Sequence, residues 1–198
     1  MLIPEVGFGT ADLAEEAEEA VYIALSQGYK LIDTARAYGS ERAVGKALQR
    51  IYREGIHKRE DYIIQTKLLP GIVCYEDVLR DFEQSLNDLG TDYVDVYFIH
   101  WPVNRGSEKT YHDENVEIWK AFEHLYASGK VKRLGVCNFL ERHLSDILDH
   151  CKVKPTVHQL EIHPGYQQIG LVEYSQKLGM DIEAWSPMGR GELKNQPY

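Results

Sequence analysis

Seven short runs rich in β-forming residues recur along the chain, at residues 6–10, 30–34, 62–68, 94–100, 133–138, 156–162 and 181–186. Several are nearly continuous in apolar side chains rather than alternating, the pattern of parallel strands covered on both faces. Amphipathic stripes lie between them. Ala17, Ala20, Val21, Ala24 and Leu25 form one, and Val44, Ala47, Leu48 and Ile51 the next. Leu79, Phe82, Leu86 and Leu89 follow, then Trp119, Phe122, Leu125 and Tyr126, then Leu144, Ile147 and Leu148. Leu171, Tyr174 and Leu178 make a shorter sixth. Their i, i+3, i+4 and i+7 spacing predicts six helices, each burying one face.

Gly28, Gly90, Gly129 and Gly179 stand just past four of these stripes, where a left-handed residue ends a helix. A strand–helix unit about every 30 residues predicts α/β architecture. No linker or low-complexity tract interrupts it, so residues 1–198 are read as a single domain. A doubly wound open sheet and a (β/α)8 TIM barrel both accommodate seven strands. No GxGxxG follows the first strand, and the polar residues with chemical capacity recur at the C-terminal ends of the strands, where barrels keep their sites. The expectation is therefore an incomplete TIM barrel, with about seven strands and six helices present and strand 8 and the last helices missing.

Composition narrows the partners. The 31 acidic residues outweigh the 22 Lys and Arg, giving a formal net charge of −9 that disfavours nucleic acid and anionic membranes. No apolar run reaches the roughly 18 residues of a membrane span. Three cysteines with no CxxC pair, and no basic-then-apolar N-terminus, fit reduced thiols in a cytoplasmic protein.

Four residues carry the chemistry. Asp33 ends the second predicted strand and Tyr38 follows in the next loop; Lys67 lies near the end of the third strand and His100 ends the fourth. A tyrosine is a poor acid at neutral pH, a nearby ammonium lowers its pKa, and a carboxylate fixes that ammonium. Tyr38 is thus a candidate to protonate a carbonyl oxygen while hydride reaches the carbon, with His100 orienting the same oxygen. Each residue has an ordinary reading in isolation: a cap for Asp33, loop packing for Tyr38, a solvated tip for Lys67, a satisfied structural histidine for His100. Their convergence on one barrel rim is what points to catalysis. Trp101 is read as lining the substrate mouth, with core packing as the alternative. His158 and His163 flank Gln159 in the sixth strand, but no third ligand accompanies them and no metal site is expected.

The order of several stretches carries a resemblance. They are Ile-Pro-Glu-Val-Gly-Phe-Gly-Thr (3–10), Gly-Tyr-Lys-Leu-Ile-Asp-Thr-Ala-Arg-Ala-Tyr-Gly-Ser-Glu (28–41), Gln-Thr-Lys-Leu (65–68) and Asp-Tyr-Val-Asp-Val-Tyr-Phe-Ile-His-Trp-Pro (92–102). Gly-Lys-Val-Lys-Arg-Leu-Gly-Val-Cys-Asn-Phe (129–139), His-Gln-Leu-Glu-Ile-His-Pro (158–164) and Ala-Trp-Ser-Pro-Met-Gly (184–189) complete the set. In this the chain resembles the aldo-keto reductases, from Ile3 to about Leu193. The resemblance implies NAD(P)H-dependent reduction of an aldehyde or ketone on a (β/α)8 barrel, with NADP the better guess. It implies a proton-transfer tetrad of Asp33, Tyr38, Lys67 and His100, and carboxamide ligands at Asn138 and Gln159. Cys137 stands where the family commonly has Ser, and Trp185 where a Tyr commonly stacks on the nicotinamide. Thr10 and Asp33 fall at the nicotinamide ribose, Ser186 at the pyrophosphate, and His100 with Trp101 at a small carbonyl substrate.

The same resemblance leads to the expectation that an N-terminal hairpin is largely absent. It also places the contacts to the adenosine ribose and its 2′-phosphate in a segment beyond Tyr198. Three readings follow: an NADP-dependent carbonyl reductase, a short homologue with weak cofactor binding that acts as a binding or regulatory module, and a metal-assisted hydrolase on the same barrel. Open barrel edges would invite self-association.

Overall fold

A computed structural model describes residues 2–103 and 108–191. The stretch that resembles the aldo-keto reductases runs on to Leu193, outside the described residues.

All seven predicted strands form: β1 (Phe8–Gly9), β2 (Leu31–Asp33), β3 (Ile63–Lys67), β4 (Val94–Ile99), β5 (Val131–Cys137), β6 (Val157–Glu161) and β7 (Asp181–Trp185). The six helices are α1 (Ala17–Ser26), α2 (Glu41–Arg53), α3 (Tyr75–Leu89), α4 (Tyr111–Ala127), α5 (Glu141–Leu148) and α6 (Ile169–Lys177). Gly28, Gly90, Gly129 and Gly179 all have φ between +64° and +98°, the left-handed ends that the sequence places there. The periodicity does not reveal three short 3₁₀ turns, at Ala14–Glu16, Arg36–Tyr38 and Arg59–Asp61. Tyr38 therefore sits on a hydrogen-bonded turn rather than in an open loop.

Each strand pairs in parallel with its neighbour in sequence, in the order β1-β2-β3-β4-β5-β6-β7. A doubly wound sheet would break that order at a switch point, so the topology is that of a barrel. The sheet is strongly curled. Gln65 of β3 donates to Glu183 of β7 at 2.8 Å, and Gln159 of β6 donates to Asp33 of β2 at 3.0 Å. In a flat sheet strands four places apart lie about 19 Å from each other, so these contacts form only if the sheet rolls almost onto itself. Among the described residues β1 and β7 are not paired with each other.

Strand alternation separates two environments. Ile32, Ile64, Tyr97, Ile99, Val136 and the apolar faces of the helices form the main core outside the sheet. Within it the Tyr97 ring meets Phe82 at 4.8 Å and Phe122 at 4.5 Å. Val96, Phe98, Cys137 and Val157 form a smaller cluster inside the curl, with Ile3 and Trp185 against it. Gly135 makes that interior possible, since a Cβ there would lie 2.5 Å from the Phe98 ring. Gly45 does the same between helices, where a Cβ would lie 2.3 Å from the Asp88 carbonyl oxygen and push α2 off α3.

Candidate active site

The interior-facing positions at the C-terminal ends of the strands are polar. Asp33 is the last residue of β2, Lys67 the last of β3 and Cys137 the last of β5, while Gln159 and Glu183 sit on β6 and β7. Period-two alternation aims all of them inward, and the curl brings them together.

The Lys67 ammonium donates to both carboxylate oxygens of Asp33, at 2.7 and 2.8 Å, and to the Thr34 carbonyl at 3.1 Å. Its fourth neighbour is the Tyr38 hydroxyl, 3.3 Å away. Lys67 is fully buried, a position that an ammonium tolerates only with such partners. Burial acts to lower its pKa, but Asp33 and Tyr38 reverse this and hold it above the ordinary lysine value. Lys67 is therefore a permanent cation.

Tyr38 departs from the sequence-based expectation. Lys67 does pull its pKa down, yet burial of the ring and the Asp33 charge outweigh the pull, and the phenol lies above its usual value. The hydroxyl is fully protonated at neutral pH, the state a proton donor requires. His100 follows β4, and its ring meets Tyr38 edge-on with centroids 5.6 Å apart. Burial and the nearby Lys67 push its pKa down to about 4, so the imidazole is neutral. Its Nδ1 has no hydrogen-bond partner among the described residues. The structure thus brings the four predicted residues together, with burial and Asp33 outweighing the pull of Lys67 on the phenol.

Beside this cluster lies a second one. Asn138 follows β5 with φ +64°, in the left-handed region that asparagine tolerates better than most residues. Its amide donates to the His100 carbonyl at 3.1 Å and to Cys137 Sγ at 3.2 Å, and its Oδ1 accepts from the Trp185 indole at 2.9 Å. The Cys137 thiol donates weakly to Gln159 Oε1 at 3.6 Å, and burial pushes its pKa up to about 12, which keeps it neutral. Trp185 is half-buried against the interior cluster. Asn138 Oδ1 and Gln159 Oε1 each retain acceptor capacity, and a half-buried indole lies alongside. A flat ring bearing an amide N–H2 fits these two acceptors.

The remaining predicted residues have differing surroundings. Thr10 is buried, and its hydroxyl is engaged by the Asp33 carbonyl and by the Thr34 and Ser40 hydroxyls. Ser186 is half-buried at the end of β7 with φ +48°, and its carbonyl closes a turn to Gly189. Trp101 is 46% exposed and stacks beside His100 with centroids 6.3 Å apart, a mouth position rather than a core one. His158 faces α6, where its Nδ1 meets the Ser175 hydroxyl at 2.8 Å, whereas His163 lies near Glu161 at 3.6 Å. Among the described residues no group of three or more His, Cys, Asp or Glu is placed to hold a metal ion.

Sequence reasoning missed two features. Glu183 is a half-buried carboxylate bonded to both Gln65 and Gln159. Its signal was available: it stands two residues before Trp185 on the same strand, hence on the same face. The other is Arg36, which bonds Asp81 at 3.0 Å, Asp88 at 3.1 Å and Glu41 at 3.4 Å, tying the Arg36–Tyr38 turn to α2 and α3. Glu41 is itself buried beneath Thr66 and Ser85, and burial raises its pKa.

A rolled parallel sheet with a buried Lys–Asp pair against a tyrosine at the C-terminal rim defines a barrel oxidoreductase scaffold. The family model described as "Aldo/keto reductase family" matches residues 5–198. An uncharacterized oxidoreductase of Bacillus subtilis is 40% identical over 197 residues, covering 98% of this chain and 68% of that protein. A crystal structure of an aldo/keto reductase from Brucella melitensis superposes with a TM-score of 0.85 at 40% identity, covering 94% of this chain and 70% of that one. A Bombyx mori aldo-keto reductase, crystallised in complex with NADP, gives a TM-score of 0.88 at 30% identity, covering 98% and 66%. The chain belongs to the aldo/keto reductase family, and it spans about two thirds of the length of these relatives. Among the described residues no helix is long and apolar enough to cross a membrane.

Proposed function

We propose that this site reduces an aldehyde or ketone to an alcohol with NADPH as the hydride donor, and that Tyr38 delivers the proton. The observation that carries this reading is the contact of one buried ammonium, Lys67, with both Asp33 and the Tyr38 hydroxyl. When bound, the nicotinamide supplies the hydride. The protein's own groups do the rest. The Tyr38 hydroxyl and the neutral His100 imidazole donate hydrogen bonds to the carbonyl oxygen, polarising the C=O bond. As the alkoxide forms, the Tyr38 proton moves to it, and Lys67 stabilises the phenolate that remains. Asp33 keeps Lys67 charged and aimed. Burial holds the phenol protonated and makes it a weak acid, so its proton leaves only as the far more basic alkoxide develops, with Lys67 offsetting part of that cost.

Asn138, Gln159 and Cys137 would hold the carboxamide, with Trp185 stacked on the ring. Thr10 and Asp33 would lie by the ribose and Ser186 by the pyrophosphate, while His100 and Trp101 would line the mouth for a small aldehyde, ketone or sugar-derived carbonyl. NADP rather than NAD is favoured by the Bombyx mori relative solved with NADP. The three free thiols fit a cytoplasmic location. A non-catalytic binding role gains no support from a site in which the proton donor, cation and carboxylate are all assembled.

The test is a fluorescence titration with NADPH followed by an assay of NADPH oxidation against a panel of small aldehydes. Saturable binding and aldehyde-dependent oxidation are expected. Absence of binding at high micromolar cofactor would defeat the reading for this chain.

A further inference from the structure

Gln65 and Gln159 approach from opposite sides of the curled sheet, and both make the same pair of bonds. Gln65 Nε2 donates to Asp33 Oδ1 at 3.0 Å and to Glu183 Oε2 at 2.8 Å. Gln159 Nε2 donates to Asp33 Oδ1 at 3.0 Å and to Glu183 Oε2 at 3.0 Å. A primary amide has two N–H groups and one carbonyl oxygen. Each glutamine spends one N–H on each carboxylate. Rotating either amide by half a turn would set its carbonyl oxygen against two carboxylate oxygens, with no proton between them. One carboxylate would leave the amide free to pivot; two carboxylates from different strands remove that freedom. The outer oxygen of Gln159 is thereby left facing Cys137 and the rim.

We propose that Glu183 is a positioning residue for the reduction: together with Asp33 it locks the Gln159 and Gln65 amides, and so presents Gln159 Oε1 to the nicotinamide carboxamide. The inference deepens the function proposed above and rests on Gln159 being a carboxamide ligand. Glu183 acts through the glutamines, not on the reacting atoms. Lys67 meets Asp33 through two contacts that do not involve Glu183, so the proton-transfer group keeps its geometry when Glu183 is removed. The consequence falls on cofactor binding rather than on the chemical step.

The experiment compares Glu183→Met, Glu183→Gln, Gln159→Leu and the double variant Glu183→Met/Gln159→Leu. NADPH fluorescence titration should show Kd raised roughly tenfold in Glu183→Met, the equivalent of one lost oriented hydrogen bond. Turnover at saturating cofactor should stay within about twofold, because the interaction removed is a binding one. Glu183→Gln keeps an acceptor oxygen but adds an N–H2 that can pair with a flipped glutamine, so it should weaken binding less than Glu183→Met without restoring wild type. Glu183→Met should add nothing to Gln159→Leu, since both break the same link. Unchanged Kd in Glu183→Met, full additivity in the double variant, or weaker binding in Glu183→Gln than in Glu183→Met would each overturn the proposal.

Side-chain amide exchange on protein labelled with 15N-glutamine gives a readout that needs no cofactor. Two protected amides, assigned by Gln65 and Gln159 variants, are expected in the wild type, and both should lose protection in Glu183→Met and in the shorter Glu183→Asp. Retained protection would overturn the positioning role. Wild-type protein that fails to bind NADPH would instead defeat the reductase reading, with the exchange experiment still deciding what Glu183 does.

Discussion

Lys67 grips both carboxylate oxygens of Asp33, at 2.7 and 2.8 Å, while the same ammonium stands 3.3 Å from the Tyr38 hydroxyl. The pair is structural and chemical at once. Replacing Asp33 by Asn leaves a fully buried ammonium without its counter-charge, at a cost of about 3–5 kcal/mol in stability. Urea unfolding of Asp33→Asn measures it, and a midpoint equal to wild type would show that the pair contributes nothing to the fold.

Tyr38→Phe removes the proposed proton donor and leaves the ring, the Lys67–Asp33 pair and the Asn138–Gln159 face in place. Carbonyl reduction should fall by about 10²–10⁴-fold, the usual size of a general-acid contribution. NADPH affinity should not change. Surviving turnover would mean that another group, with His100 the nearest candidate, supplies the proton.

Arg36 is the anchor of the turn that carries Tyr38. Arg36→Leu strips the charged partner from buried Glu41 and Asp81, while Asp88 keeps Arg42. Burial of unpaired carboxylates should destabilise the protein by about 3–5 kcal/mol. If the turn also loosens, reduction should drop at saturating cofactor with little change in cofactor affinity. A thermal melt alongside steady-state kinetics separates the two effects.

Gly135→Ala places a methyl group 2.5 Å from the Phe98 ring inside the curl. Overpacking of this kind costs about 1–3 kcal/mol. Adding Phe98→Leu should recover part of the loss. A double variant no more stable than Gly135→Ala would show that the strain lies in the backbone and not in the ring contact.

Burial holds three histidines, His100, His143 and His158, at about 4, below their ordinary value. Between pH 6.5 and 4 the unfolded chain binds protons at these positions that the folded chain refuses. Stability is therefore fully present above about 6.5 and is lost as pH falls toward 4, by up to about 1.4 kcal/mol per pH unit for each histidine. Glu41 and Glu183, whose carboxyl groups burial raises, act in the opposite sense and blunt the slope. Denaturation midpoints at successive pH values should decline with acidity, and His158→Gln should flatten the decline. An unchanged profile in that variant would show that His158 is not held neutral.

Much of the architecture was legible in the linear pattern. Seven strands and six helices appear where apolar spacing places them, and the left-handed glycines end the helices they were expected to end. These features depend on neighbours within a few residues, which is the range over which backbone preference and amphipathic spacing act. The gathering of Asp33, Tyr38, Lys67 and His100 was legible as well, because each lies at or just past a strand's C-terminal end and the barrel reading puts those ends on one rim. The 3₁₀ turn at Arg36–Tyr38 was not, since its anchor, Arg36, works through Asp81 and Asp88 some 45 and 52 residues away.

What the chain's order of residues could not show is how far the sheet rolls. Asp33, Gln65, Gln159 and Glu183 come from four strands, and only the curl brings the Gln65 amide within 3.0 Å of Glu183 and the Gln159 amide within 3.0 Å of Asp33. The protonation of the site depends on the same closure. A lysine near a tyrosine in sequence logic lowers the phenol's pKa, yet enclosure by the barrel wall and the Asp33 charge raise it. Which residue types gather at the rim is written locally at the strand ends. Their protonation states and mutual orientation depend on long-range packing, because desolvation and cross-barrel hydrogen bonds exist only once the strands have closed around them.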